Sequence, residues 1–141
     1  MQRYLWIFVA VAGLYVAVTS VMSGSWALGI ALGAAALVYS WWISPHKGGR
    51  SASHREVVAM PEQDRPVVIY WRPGCGFCAR LRSTLGDRAD DAQWINIWQD
   101  KEAAAFVRSV NEGNEVVPTV VLDGIPVTNP DPQIVLDKLA A

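Results

Sequence analysis

The chain has 141 residues and a formal net charge of −1, and 52% of its residues are apolar. A near-neutral chain has no basic field that would attract nucleic acid, so we expect no nucleic-acid partner. Two cysteines are too few for the disulfide framework of a small secreted protein, which makes a reactive pair the better interpretation.

The first third of the chain predicts a membrane hairpin. Residues 4–43 contain no Asp, Glu, Lys, Arg or His. A single helix of this length would measure about 60 Å, twice the bilayer hydrocarbon core of about 30 Å. The stretch divides at Ser23-Gly24-Ser25, so residues 1–43 are expected to form two transmembrane helices, at about 4–22 and 26–43, in contact with membrane lipid.

Small residues predict how the two helices of this hairpin pack, and charged residues predict its orientation in the membrane. Gly29 and Gly33 have the G-x-x-x-G spacing that lets helix backbones approach closely in lipid. We expect it to pack the hairpin on itself, in a monomer or a weak dimer through the transmembrane helices. Positive residues flank both spans, while the short loop has none. The positive-inside rule then predicts a multi-pass protein of the cell membrane with both termini cytoplasmic. A cleaved signal peptide is the alternative, and the second apolar span argues against it.

Residues 44–65 are rich in Ser, Gly, Pro and charge, which predicts a flexible linker spanning roughly 25 Å. His46 and His54 lie in it. Together with the two cysteines they would supply four zinc ligands, but their spacing fits no compact zinc module. We therefore expect no metal site.

The first half of the soluble region alternates strand and helix signals. Val67–Trp71 is a continuous apolar run, typical of a strand buried on both faces. A helix is predicted from Cys75 to about Leu85 and a second strand over Trp94–Trp98. Asp100 is a favourable N-cap for the next helix.

The second half predicts a hairpin and a final helix. Val116–Leu122 reads as a strand, Asp123-Gly124 as a two-residue turn and Ile125–Val127 as an edge strand because it contains a proline. Asp131-Pro132 begins the last helix. The order β-α-β-α-β-β-α predicts an α/β, thioredoxin-like fold, with a four-stranded mixed sheet and helices on both faces.

The two cysteines form a C-x-x-C motif where the first strand meets the first helix of this domain. Such a motif is typical of thioredoxin-like redox proteins. Cys75 lies nearest the helix start, where unpaired N–H groups and the helix dipole favour the reactive thiolate. Cys78 lies one turn further in. The motif alone leaves a reductase, an oxidase and a metal site open.

Three segments carry a resemblance to a known family, namely Arg72–Cys78, Val117-Pro118-Thr119 and the Asp123-Gly124 hairpin. They resemble the glutaredoxin family, and most closely the actinobacterial mycoredoxins, over residues 66–141. The resemblance implies a thiol–disulfide oxidoreductase without a tightly bound cofactor. Its partners would be protein mixed disulfides and a low-molecular-weight thiol, which for mycoredoxins is mycothiol.

The resemblance also implies roles for individual residues. Cys75 would be the nucleophile and Cys78 the resolving cysteine, and the two would form the redox disulfide. Pro118 would be a cis-proline facing the site. Arg72 stands where glutaredoxins often carry a lysine, and a cation there would favour the Cys75 thiolate and steer an anionic thiol.

Three further residues are candidates for substrate binding. Phe77 is expected to present an exposed ring beside the substrate groove, and Val117 precedes the proline. Capping the last helix is enough to explain an aspartate at position 131. Asp131 is also a candidate for binding a polar group of the thiol. Thr128-Asn129-Pro130 replaces the Gly-Gly pair that glutaredoxins carry near glutathione. This departure argues against glutathione as the thiol.

Two alternatives remain open at this point. Cys75-Gly76-Phe77 matches the start of the motif in glutaredoxins that hold a [2Fe–2S] cluster between two chains, although Cys78 favours redox chemistry. The domain would alternatively lie outside the membrane as a disulfide-forming oxidoreductase. The basic residues that follow Ile43 argue against that arrangement.

Overall fold

The computed structural model describes residues 4–44, 51–65 and 67–140, and the chain divides into an N-terminal and a C-terminal unit between Lys47 and Gly48. The N-terminal unit contains α1 (Leu5–Met22) and α2 (Trp26–Ile43). Each has 18 residues, with mean hydropathies of 2.2 and 1.6, and is long and apolar enough to cross a membrane. They coincide with the two predicted spans.

The small residues of the hairpin lie between its two helices. A Cβ atom at Gly13 would lie 2.2 Å from the Cβ of Ala36, and one at Gly29 would lie 2.8 Å from the carbonyl oxygen of Ala17. A Cβ atom at Gly33 would lie 3.0 Å from the Cβ of Ala17. The G-x-x-x-G pair therefore faces the other helix of the same hairpin, because only glycine permits this approach.

The C-terminal unit is built on one four-stranded sheet. Its strands are β1 (Val67–Trp71), β2 (Gln93–Asn96), β3 (Thr119–Leu122) and β4 (Ile125–Thr128), in the spatial order β2-β1-β3-β4. The β1–β2 pair is parallel and the other two pairs are antiparallel. The mixed sheet is therefore as predicted, and β4 with its proline lies at an edge.

Helices cover both faces of this sheet. They are α3 (His54–Ala59), α4 (Gly76–Leu85), α5 (Lys101–Val110) and α6 (Pro132–Ala140). The apolar run of β1 serves two cores. Val68 and Tyr70 belong to the core that includes residues of α3 and α5, while Val67 and Ile69 belong to the core that includes residues of α4 and α6. This division explains why the strand is apolar at every position.

Two strands are shorter than the sequence predicts. β2 ends at Asn96, whose side-chain oxygen accepts a hydrogen bond from the backbone N–H of Trp98 at 3.0 Å. This local bond competes with the ladder and turns the chain. β3 begins only at Thr119, since Pro118 has no N–H to contribute to the sheet.

The flexible linker predicted for residues 44–65 is wrong for residues 51–65, which we call the strap. The strap contains α3, and its Val57 is completely buried in the core. The backbone N–H of Ala52 donates to the Trp94 carbonyl at 3.3 Å, and the hydroxyl oxygen of Ser51 accepts from the Asn96 N–H at 2.6 Å. The strap therefore covers the free edge of β2. The rest of the predicted linker, beyond Ser44, lies outside the described residues.

His54, considered above as a zinc ligand, has a structural place within the strap. Its Nδ1 lies 2.8 Å from the Tyr70 hydroxyl oxygen, and its ring centroid lies 5.3 Å from that of Phe106. Its backbone N–H donates to the Asp100 carboxylate at 2.7 Å. His54 therefore joins the strap to β1 and α5, while His46 lies outside the described residues.

Candidate active site

Cys75 is placed by the turn that joins β1 to α4. The chain leaves the sheet at Trp71, and Gly74 takes a φ of +75°, which a residue with a side chain rarely adopts. Cys75 is then the N-cap of α4, and its sulfur accepts a hydrogen bond from the backbone N–H of Cys78 at 3.2 Å. The sulfur thus occupies the position where a helix start stabilises negative charge.

The pKa of Cys75 is lowered from 9.0 to about 6. The largest cause is a hydrogen bond from the Cys78 thiol, and the backbone N–H groups of Cys78 and Phe77 and the charge of Arg72 act in the same direction. Partial burial opposes them. Each favourable contact stabilises the thiolate, so Cys75 is largely ionised at neutral pH.

Cys78 has the opposite character. Cys78 is only 3% exposed. The pKa of its thiol is raised by the hydrogen bond to Cys75, by burial and by the negative charge on Cys75. Both cysteines are free thiols in this structure. The two sulfurs are therefore unlike, with Cys75 as a thiolate and Cys78 as a protonated donor to it.

Alkylation of Cys75 by iodoacetamide should follow this pKa. We expect the rate to reach half its maximum near pH 6, whereas a thiol with an ordinary pKa of about 8.5 does so more than two pH units higher. Peptide fragmentation after timed quenching gives the rate at each cysteine separately. Cys78 should stay unmodified over the same range, and a Cys75 midpoint above pH 8 would contradict the assignment.

A cis-proline lies opposite Cys75. The Val117–Pro118 peptide bond is cis, and the carbonyl oxygen of Val117 lies 3.4 Å from the sulfur of Cys75. Val117 is 8% exposed, and Thr119 behind it is held by a hydrogen bond from its hydroxyl to the Val116 carbonyl at 2.8 Å. Pro118 therefore directly follows the residue whose carbonyl oxygen contacts the Cys75 sulfur, and as a proline it adds no N–H donor there.

A groove of about 240 Å³ opens beside this turn. It brings together Phe77, Pro118 and Asp131, three of the sequence-predicted binding residues. Of the other two, Val117 contacts the Cys75 sulfur through its carbonyl oxygen, and the charge of Arg72 acts on Cys75. The lining residues are Phe77, Arg80, Leu81, Pro118, Asn129, Pro130, Asp131 and Pro132. A wider depression of about 540 Å³ lies between the strap and the start of α5, and among the described residues neither cysteine lines it.

Arg80 and Asn129 line the groove as well, although the sequence did not predict them as binding residues. Arg80 follows Phe77 by three residues, a spacing that places both on one face of α4. Asn129 adopts a φ of +47°, and its N–H donates to the Pro118 carbonyl at 2.8 Å. Asp131 uses one oxygen to accept from the Gln133 N–H at 2.9 Å, so it caps α6 and borders the groove at once.

A mixed sheet of this order, with a thiolate cysteine capping a helix and a cis-proline opposite, defines a thioredoxin-like redox protein. The Glutaredoxin family model matches residues 67–127. A protein of Mycobacterium tuberculosis H37Rv named as a glutaredoxin is 40% identical over 74 residues, which is 52% of this chain and 88% of that protein.

Mycoredoxin 1 of Corynebacterium glutamicum is 41% identical over 76 residues, which is 53% of this chain and 94% of that protein. The gene 56 protein of Mycobacterium phage D29 is 31% identical over 58 residues, 41% of this chain and 63% of that protein. The chain belongs to the glutaredoxin family and is a thiol–disulfide oxidoreductase. The strap and the N-terminal hairpin lie outside the range that the family model matches.

Proposed function

We propose that this protein is a membrane-anchored oxidoreductase that reduces mixed disulfides between proteins and a low-molecular-weight thiol, with mycothiol as that thiol. The observation that carries the proposal is the difference between the two cysteines. Cys75 is a partly exposed thiolate beside a groove, and Cys78 is buried and protonated. A pair arranged in this way attacks through the exposed sulfur, while the buried thiol stabilises that thiolate by a hydrogen bond.

The first step uses Cys75 alone. Its thiolate attacks the low-molecular-weight sulfur of the mixed disulfide, so a new bond forms between that sulfur and Cys75 while the bond to the protein sulfur breaks. The protein leaves as a thiolate and takes up a proton from solvent. The enzyme now holds the small thiol as a mixed disulfide on Cys75, with its body in the groove.

Two routes restore the nucleophile. In the first, a second small thiolate attacks the bound small thiol, which releases the small disulfide and regenerates the Cys75 thiolate. In the second, Cys78 loses its proton and attacks Cys75, which releases the small thiol and forms the Cys75–Cys78 disulfide. Two further small thiols then reduce this disulfide. Burial and the raised pKa of Cys78 favour the first route.

The groove supports a thiol with a polar body. Phe77 and the prolines offer apolar faces. Hydrogen-bond donors and acceptors are provided by Arg80, Asn129 and Asp131. Thr128-Asn129-Pro130 replaces the Gly-Gly pair that glutaredoxins carry near glutathione. In addition, the match to the relative named Mycoredoxin 1 covers 94% of that protein. These two facts together favour mycothiol over glutathione.

The membrane anchor and its orientation complete the proposal. Two apolar helices precede the catalytic unit, and basic residues flank them at both ends. With both termini cytoplasmic, Cys75 works in a reducing compartment as a reductase. Tethering raises the local concentration of the enzyme near thiols of membrane proteins without any new contact.

Turnover with two different reductants tests this function. We expect kcat/KM for the reductant, measured with one mixed-disulfide peptide, to be at least about tenfold higher for mycothiol than for glutathione, equivalent to about 1.4 kcal/mol in the transition state. Acid quenching followed by liquid chromatography measures the released peptide thiol in the presence of either reductant. Equal or faster turnover with glutathione would contradict the choice of thiol.

Asp131→Asn provides a matched variant for this assay. Asparagine caps a helix as well as aspartate does, so α6 should be retained while the charge at the groove is lost. We expect a smaller preference for mycothiol. Asp137→Asn removes the same charge from an exposed position in the second half of α6 and should leave the preference unchanged.

A further inference from the structure

The positive charge beside the nucleophile belongs to a long, flexible side chain. Arg72 lies in the loop between β1 and α4, is partly exposed, and its charge acts on Cys75. An arginine free to turn into water would have little effect on the thiolate, because water screens the charge and many rotamers compete. A cation that acts on Cys75 therefore needs a group that fixes its position.

Trp98 places an aromatic ring beside this guanidinium. The guanidinium carbon of Arg72 lies 5.9 Å from the centroid of the Trp98 ring, within the range of a cation–π contact. The indole is partly buried and packs against the core that contains Cys78. A rigid aromatic face packed in this way limits the directions that the guanidinium takes.

Trp98 itself is held through a buried asparagine. Its backbone N–H donates to the Asn96 side-chain oxygen, and Asn96 is completely buried. The backbone N–H of Asn96 donates in turn to Ser51 of the strap. Two residues beyond Trp98, Asp100 caps α5 and accepts a hydrogen bond from His54 of the strap. The loop that carries Trp98 is thus fixed on both sides by the segment that precedes the catalytic sheet.

We propose that Trp98 is a positioning residue for thiol–disulfide exchange, which holds the guanidinium of Arg72 beside the sulfur of Cys75. Trp98 makes no bond to the reacting atoms and acts through Arg72. The inference deepens the proposed function and rests on its assignment of Cys75 as the nucleophile. A purely structural Trp98 would affect stability, whereas a positioning Trp98 also changes the ionisation of Cys75.

The test measures Cys75 alkylation against pH in the full chain, solubilised in detergent micelles. Trp98→Leu keeps an apolar side chain but loses the aromatic face, so we expect the midpoint to rise by about half a pH unit and the rate at pH 6 to fall about twofold. Trp98→Phe restores an aromatic face and should return the midpoint most of the way. Arg72→Gln should raise the midpoint at least as far as Trp98→Leu.

The double variant with both Arg72→Gln and Trp98→Leu tests whether Trp98 acts on Cys75 through Arg72. If Trp98 acts through Arg72, adding Trp98→Leu to Arg72→Gln should produce no further shift. The same shift in both backgrounds would overturn the proposal, and so would an unchanged midpoint in Trp98→Leu alone. Loss of stability without a change in midpoint would likewise assign Trp98 a purely structural role.

The chain supplies a matched control. The guanidinium carbon of Arg82 lies 5.0 Å from the centroid of the Trp94 ring, a second arginine–tryptophan pair in the same domain. Arg82→Gln removes one positive charge and one such contact, and we expect the Cys75 midpoint to stay where it is. Alkylation needs no thiol substrate, so a failure of mycothiol turnover and a failure of this inference are separate results.

Discussion

Replacing Cys75 by serine is expected to lower mixed-disulfide reduction by at least about a thousandfold, as removal of other enzyme nucleophiles does. The hydroxyl that replaces the thiol does not ionise near neutral pH, so the thiolate that starts the exchange is lost. Serine is a good helix N-cap, and α4 should therefore still begin at Gly76. The loss would then report chemistry rather than folding.

The matched variant is Cys78→Ser, which keeps the nucleophile. We expect it to retain part of the activity, because a second small thiol can clear Cys75 without help from the resolving cysteine. Both variants are measured with the same mixed-disulfide peptide and the same reductant. Full activity in Cys75→Ser, or complete loss in Cys78→Ser alone, would refute the roles given to the two sulfurs.

The sequence predicted the order of elements because its signals are local. The apolar run of β1, the turn residues Asp123-Gly124 and the cap Asp100 each act within a few positions of themselves, and the structure has all three where expected. The Cys75 position was predictable for the same reason. Its place at the N-cap of α4 follows from the motif and the strand before it, without long-range contacts.

Other features depend on contacts between distant segments. The groove joins Arg80 of α4 to Asn129 and Asp131 from the end of the chain, and their proximity is created only by the sheet. The hydrogen bond between the two cysteines, the largest cause of their pKa difference, is local, but the burial that further raises the pKa of Cys78 depends on the core around it. The spacing of residues shows which of them share one face of a helix. It does not show which distant segment packs against that face.

The strap was missed for a related reason. Its composition is that of a linker, rich in serine, proline and charge, and composition describes average behaviour over many residues. A short helix with one buried valine does not alter that average. Val57 is nevertheless completely buried, and Ser51 and Ala52 satisfy backbone groups at the edge of β2. A few specific contacts therefore outweigh the composition.

The second large effect is expected from Val57→Asp in the strap. A carboxylate is costly to bury without a partner, so the catalytic unit should release α3 instead of holding the charge in its core. Release loses the burial of one valine, about 1.5–3 kcal/mol, and the hydrogen bonds that tie the strap to β2 and Asp100. We expect the free energy of unfolding to fall by about 2–4 kcal/mol.

Val58→Asp is the control for this change, because it places the same charge on the neighbouring residue, which is 47% exposed. A surface substitution of this kind should change the free energy of unfolding by less than about 0.5 kcal/mol. Pulse proteolysis of the full chain in micelles at increasing urea measures both variants. If the two were equally stable, the strap would be a linker after all. If only Val57→Asp lowers the free energy of unfolding by this amount, the catalytic domain begins before the residues that the family model matches. Val57 precedes that range, residues 67–127.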